Sequence, residues 1–323
     1  MSLEDDKVEL SKEETALFKQ HLGTDDKTKI KDHKLQLSKE ELALFKQHLG
    51  TDDETEIKEH IVKVGSKAYE VRSSLYGHIV RGSQFLTTGV QLWITKSKFY
   101  DYLDPDRAYR SAVKLCAERE DGLFLDYGCC FGVDLRMAVT DGLPVQKAIG
   151  VDIHPEFWDL GHELFKSNQE TFPATFLGGD ALDLSFVSGR EPCTEVLNTP
   201  LPDLKSLKSL TPLQGRISAI HVANVFHLFG QEKQLELARA LSSLLSAKPG
   251  SVMFGSHAGQ EVAGEYTNHR GETNFAHSPE SWMEMWAQVF PAGSVKVGTK
   301  LIPIPGFEHF GITAALVWSC TVL

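Results

Sequence analysis

From about residue 120 the chain alternates short apolar runs with stretches of helical spacing. Leu123-Phe-Leu is an apolar run that ends in Asp126, and Ala148-Ile-Gly-Val is a second that ends in Asp152. Between them, roughly Val133 to Asp141 reads as a helix. Phe176-Leu-Gly-Gly-Asp180-Ala181 reads as a third strand and its turn, and Arg216 to Phe229 as a fourth strand with the loop after it. Apolar residues at 235, 237, 238, 241, 244 and 245 keep Gln231 to Leu245 close to helical spacing. Lys248-Pro-Gly250 then supplies stop chemistry. Ser251 to Gly255 reads as strand five, and Ser278-Pro279 opens a helix with an N-cap and a proline in the first turn. Val295 to Ile304 and Ile312 to Leu323 close the chain as two strands around a Pro/Gly turn. Strands alternating with helices predict an α/β fold with a doubly wound sheet.

The first two strands and the helix between them have the layout of a nucleoside-binding crossover. A glycine after the first strand allows backbone angles closed to other residues and brings the main chain close to a ligand. The helix that follows aims free N–H groups at the same place. An acid at the end of the second strand, here Asp152, can accept both hydroxyls of a ribose. The turn reads Asp126-x-Gly128-x-x-x-Gly132, whereas a dinucleotide fold calls for G-x-G-x-x-G around a pyrophosphate. An acid before the first glycine repels phosphates and suits a cation. The charge argument favours S-adenosylmethionine, with its ammonium and sulfonium, over a nicotinamide dinucleotide.

On these residues the chain resembles the class I S-adenosylmethionine-dependent methyltransferases, whose first motif reads acid-x-Gly-x-Gly-x-Gly. Asp126, Gly128 and Gly132 match, and Cys130 stands where the middle glycine usually is. The resemblance implies a Rossmann-like, doubly wound, seven-stranded sheet with an antiparallel last strand. It implies that Asp126, Gly128, Cys129, Cys130 and Gly132 hold the methionine end and Asp152 the ribose, with Ile153 beside it. It also implies that Asp180 and Ala181 meet the adenine and that Val222 and Asn224 line the floor after strand four. The family typically shows a histidine at the place of His227. Its acid at the start of strand four is Ser218 here, so that acid's role does not carry over.

Lys67-Ala-Tyr-Glu-Val71, Pro155-Glu-Phe-Trp-Asp-Leu-Gly-His-Glu-Leu-Phe165 and Phe275-Ala-His-Ser-Pro-Glu-Ser-Trp282 are similar to a fungal subgroup. Its members include methyltransferases of terpenoid and meroterpenoid pathways, some of which esterify a carboxyl group. The likeness runs from about Leu35 to the C-terminus. It implies O-methylation of a small terpenoid-like or aromatic acceptor. A non-catalytic or regulatory cofactor-binding protein, or a nicotinamide-dependent reductase, are the other readings.

Methyl transfer is an in-line displacement at a sulfonium, so alignment and exclusion of water dominate. An alcohol or phenol acceptor gains from a general base, and His227 and His257, after strands four and five, are the candidates. Trp93 and Tyr100, in an aromatic stretch before strand one, and Arg270, which suits an acceptor carboxylate, are candidate substrate binders. The 13 histidines form no H-x-x-x-H pair and no linked cysteine spacing for a metal.

Leu10 to His33 recurs as Leu37 to His60, identical at 20 of 24 positions. Each copy carries a capping box, Ser11/Glu14 and Ser38/Glu41, and a stop glycine, Gly23 or Gly50. After the second copy Ile61, Val62, Val64, Ala68 and Tyr69 make a stripe that can dock; the first copy has none. Residues 1–34 therefore read as a peripheral duplicate, 35–118 as a helical cap and 119–323 as the methyltransferase domain. The duplicate's alternative role is a helical arm for a homodimer. Deleting residues 1–34 is expected to leave folding and cofactor binding nearly intact, and a collapse in solubility of the truncated protein would refute the peripheral assignment.

A net charge of -11 disfavours nucleic acid or an anionic membrane as partner. No apolar run reaches the roughly 18 residues of a membrane span, and the acidic N-terminus lacks a signal-peptide layout. Five cysteines without a C-x-x-C pair read as reduced thiols of a cytoplasmic protein.

Overall fold

The computed structural model describes residues 37–76, 108–267, 271–303 and 313–323. The duplicate at 1–34, Trp93, Tyr100 and Arg270 lie outside them. The chain divides into two compact units. The first holds helices α1 (Lys39–Leu49) and α2 (Glu54–Tyr76). Ser38 caps α1: its hydroxyl accepts from the Glu41 amide at 3.2 Å, and the Glu41 carboxylate accepts from the Ser38 amide at 2.6 Å. Gly50 ends α1 in the left-handed region, at φ 68°. Asp53 then starts α2 by accepting from the Thr55 amide. Ile57, Ile61, Val64 and Ala68 are buried along α2, so this part of the sequence stripe is a packed face.

The second unit is built on a seven-stranded sheet. In chain order its elements are α3 (Ala108–Glu118), β1 (Leu123–Tyr127), α4 (Val133–Thr140), β2 (Ala148–Asp152), α5 (Pro155–Leu164), β3 (Thr175–Gly178) and β4 (Ile217–Ala223). There follow α6 (Gln231–Ser242), β5 (Val252–Gly259), the hairpin β6 (Gly264–Thr267) and β7 (Thr273–Ala276), α7 (Pro279–Ala287), β8 (Val295–Pro303) and β9 (Ala314–Val322). The strand order is β3-β2-β1-β4-β5-β9-β8. The first five strands are parallel, and β9 runs antiparallel to both its neighbours. This is the Rossmann-like doubly wound sheet with an antiparallel last strand that the sequence implied.

Strands β1, β2, β4 and β5 are buried on both faces, which explains their near-continuous apolar runs, whereas the edge strand β3 is only partly covered. On one face Leu125, Ile149, Ile220, Met253 and Trp318 pack with Leu237, Leu241, Trp282 and Trp286. On the other, Phe124, Ala148, Ala219 and Phe254 pack with Ala112, Val113, Cys116 and Trp158. Helix α3, which the sequence grouping put at the end of the cap, thus packs on the sheet. The long connection 183–215 also contributes to the core, through Phe186, Val187, Leu207, Leu210 and Leu213. The loop 259–275 contains the β6–β7 hairpin, whose Tyr266 hydroxyl and Asn274 amide both donate to the His227 carbonyl.

Gly161 of α5 lies against the turn after β1: a Cβ there would stand 2.3 Å from the Phe131 carbonyl oxygen. Gly161→Ala is expected to cost about 3 kcal/mol through overpacking, read by urea unfolding. A loss below about 0.5 kcal/mol would show that the helix yields freely.

Candidate cofactor site

The order of the parallel strands reverses at β1, where β2 leads one way and β4 the other. Ligands of open α/β sheets bind at such a switch point, beyond the carboxyl ends of the strands. The turn from Asp126 to Gly132 sits there. Gly128 has φ 75°, Cys130 49° and Gly132 68°, so three alternate residues occupy the left-handed region. A Cβ on Gly128 would come within 2.5 Å of the Val225 side chain, and one on Gly132 within 2.7 Å of the Trp158 ring. Only glycine fits at either place. The amides of Gly128 and Cys129 donate to the Val151 carbonyl at 2.8 and 3.0 Å, which pins the turn across the mouth of β2.

Cys130 meets the left-handed requirement with a side chain present, at a cost of about 1–2 kcal/mol for an L-residue. Cys130→Gly removes that strain but loosens the unfolded chain, so stability is expected to stay within about 1 kcal/mol of the parent. Cys130→Val, β-branched, is expected to lose about 2 kcal/mol or more. Thermal melts of the pair test this, and equal loss in both would refute the strain assignment.

Asp152 closes the site from the second strand. Its Oδ2 accepts from the Cys130 amide at 2.8 Å and its Oδ1 from the His154 amide at 2.9 Å. The carboxyl is largely buried, which raises its pKa; the two amide bonds pull the other way. Next to it the Ile153 side chain is 57 % exposed, an apolar surface beside that carboxyl. Asp180 is half-buried and accepts from the Leu182 amide. The buried Ala181 gives its amide to the Tyr127 hydroxyl at 3.0 Å, so that donor is already engaged. Asn224 is exposed with φ 56°, while the Val222 side chain lies in the core.

Asp126 is buried and hydrogen-bonded to a residue that sequence reasoning did not single out. His221 of β4 stands opposite it in the strand register, with Nδ1 2.7 Å from Asp126 Oδ1. Burial, then Asp134 and Asp152, raise the Asp126 carboxyl well above the usual range, and burial pushes the His221 imidazolium down to about 3. The pair is a neutral imidazole against a carboxyl. The one sequence signal was an ionisable residue inside a central strand otherwise apolar but for Ser218.

His227 follows β4, whereas His257, expected after strand five, lies within β5, paired with Leu316 of β9, because that strand runs on to Gly259; both are on the opposite face. His257 Nδ1 lies 2.9 Å from the Ala258 carbonyl, which fixes the proton on Nδ1. Its ring centroid is 4.5 Å from that of Trp282. Burial lowers its pKa, reinforced by His227 and His277, and burial holds His227 at about 4. Both are neutral imidazoles near pH 7, the form in which a general base works. His257 is sealed in the core, whereas His227 is half-buried.

The arrangement fits a nucleoside with a cationic tail. Two glycines leave room for close main-chain approach, a carboxylate and an exposed apolar side chain stand together at the second strand, and carboxyls cluster where a dinucleotide would place phosphates. Among the described residues no group of His, Cys, Asp and Glu could hold a metal ion.

No family model matches the chain. It is similar to curated methyltransferases of fungi. O-methyltransferase phiE of a fungal species is 32 % identical over 167 residues, 51 % of this chain and 48 % of the relative. Asnovolin E/Chermesin D methyltransferase nvfJ of Aspergillus novofumigatus is 30 % identical over 190 residues, 58 % of this chain and 57 % of the relative. Methyltransferase ausD of Aspergillus calidoustus is 26 % identical over 234 residues, 69 % of this chain and 72 % of the relative. The chain spans about half the length of the first of these. Among solved structures, the Burkholderia thailandensis 1,6-didemethyltoxoflavin-N1-methyltransferase with S-adenosylhomocysteine aligns with a TM-score of 0.42 and 12 % identity. The alignment covers 68 % of this chain and 80 % of that one.

Proposed function

We propose that this protein is an S-adenosylmethionine-dependent methyltransferase acting on a small molecule at oxygen, a carboxyl or hydroxyl of a terpenoid-like or aromatic compound. The carrying observation is the turn 126–132: left-handed at three residues, held by the Asp152 carboxylate, and flanked by acids instead of anion-binding groups. The names of the fungal relatives support the reaction, and that of O-methyltransferase phiE supports the choice of oxygen.

When bound, the cofactor supplies an electrophilic methyl group on a sulfonium. The chain's own part is to bind and orient. Asp152 takes the ribose hydroxyls, and Ile153 offers its exposed face to the adenine beside Asp180 and Ala181. The Gly128–Gly132 turn admits the methionine end toward Asp126, with Asn224 at the edge. A carboxylate acceptor arrives ionised and needs no base. For a hydroxyl acceptor His227, neutral and half-buried at the end of β4, receives the proton; His257 supports the wall. Trp93, Tyr100 and Arg270 are assigned to the acceptor on sequence grounds. The five cysteines, with no C-x-x-C spacing in the sequence, suit a cytoplasmic setting, and the duplicated N-terminal segment is assigned to a homodimer contact or to none.

Calorimetry with S-adenosylhomocysteine and with NAD tests the cofactor. Binding of the first and none of the second is expected; the reverse would make the protein a reductase. Mass detection of methylated products across terpenoid acids, phenols and amines tests the acceptor. Cofactor binding with no methyl transfer to any metabolite pool of the native host would favour the regulatory reading, and transfer only to amines would overturn the choice of oxygen.

A further inference from the structure

We propose that His221 is the positioning residue for the methionine end of the site. Its Nδ1–H, donated to Asp126 Oδ1, holds that carboxyl in one orientation and tunes its ionisation, so that arrival of a cationic amino-acid group releases one proton. The inference rests on the proposed cofactor.

The geometry makes the pair a built feature. Asp126 and His221 are register partners on the two central strands, so their side chains leave the same face of the sheet. Both are almost wholly buried, and the imidazole also packs against Phe254, ring centroids 5.3 Å apart. A one-residue slip of either strand would part them.

Among the described residues, the groups that act on Asp126 are His221 from β4, Asp152 from β2, Asp134 from the first turn of α4, the Cys129 thiol from the turn, and the Tyr109 phenol from α3. None of these described groups is a cation. Burial and the two neighbouring acids raise the Asp126 carboxyl, because carboxylates gathered in a closed corner do not all ionise without a counter-charge. His221 does not supply one, since burial keeps its ring neutral. A ligand ammonium does.

The protons balance simply. His221 keeps its single proton on Nδ1 and donates to Oδ1 before and after binding. Where the Asp126 carboxyl is protonated in the free protein, that proton leaves to bulk water when the ammonium brings its charge. Because the Nδ1–H favours the ionised carboxylate, loss of His221 makes that ionisation harder.

The test is calorimetric titration of the full chain with S-adenosylhomocysteine, which carries the ammonium and lacks the sulfonium. It is run from about pH 6 to about pH 8 in buffer pairs of different ionisation enthalpy. The parent is expected to release close to one proton per ligand at the acid end, with affinity rising up to about tenfold per pH unit. His221→Phe is expected to shift that rising limb up by about one pH unit or more, and His221→Gln, whose amide also donates, to bring it back. Binding to the parent with no proton release and a flat pH profile would overturn the proposal while leaving the cofactor reading standing. Equal shifts in Phe and Gln would make His221 a packing residue and refute its role. Absence of binding at every pH would remove the cofactor reading, and this proposal with it. If His221→Phe does not fold, the proton count of the parent and the Gln variant decide.

Discussion

Acidification from pH 7 to about pH 4 is expected to unfold the sheet unit cooperatively. His227 and His277 are each held at about 4, His221 at about 3, and His257 well below its ordinary value, all chiefly by burial. A histidine whose folded pKa lies below its unfolded value near 6.5 contributes stability that is fully present above 6.5 and is lost as pH falls toward the folded value. A drop from 6.5 to about 4 corresponds to about 3 kcal/mol for each group. Two carboxyls oppose this. Asp126 and Asp152 have raised folded pKa values, so their contribution is present below the unfolded value near 3.8 and lost as pH rises through the folded one. Four imidazoles set against two carboxyls leave net proton uptake on unfolding, and a loss of several kcal/mol is comparable with the whole stability of a domain. Urea unfolding at stepped pH measures the slope, and His277→Gln should reduce it by about one proton. A stability that holds level from pH 6.5 to 4 would refute the buried neutral state of the four rings.

Asp152→Ala is expected to lower S-adenosylhomocysteine affinity about 100-fold. Three consequences combine. The ribose hydroxyls lose a charged acceptor, worth about 1.5–3 kcal/mol. The Cys130 amide loses its partner, so the left-handed turn relaxes. The His154 amide loses its partner as well, which loosens entry into α5. Asp152→Asn keeps one oxygen to accept an amide and should fall between the two. Unchanged affinity in the alanine variant would remove the ribose assignment, whatever its effect on stability.

Much of the architecture was written locally. Apolar runs of strand length ending in acids, glycines at turn positions, the Ser38/Glu41 capping box and the Ser278-Pro279 helix start each depend on a residue and its near neighbours. All reappear in the structure at or within a few residues of the expected place. The bend from Asp126 to Gly132 was legible for the same reason, since Gly128, Gly132 and Asp152 act through backbone angles and strand ends. The aromatic stretch with Trp93 and Tyr100 was legible only as composition, because what such rings contact depends on distant chain.

The chain alone thus decided where strands, helices and left-handed bends form, since steric and capping preferences act over a few residues. Only the assembled sheet decided which neighbours the polar groups meet. Asp126 faces His221 although 95 residues separate them, because β4 inserts beside β1. The Ala181 amide is engaged by Tyr127, and His257 is sealed under Trp282, for the same kind of reason. Strand order and burial set the dielectric and the partners of an ionisable group, and neither is encoded at the group's own position.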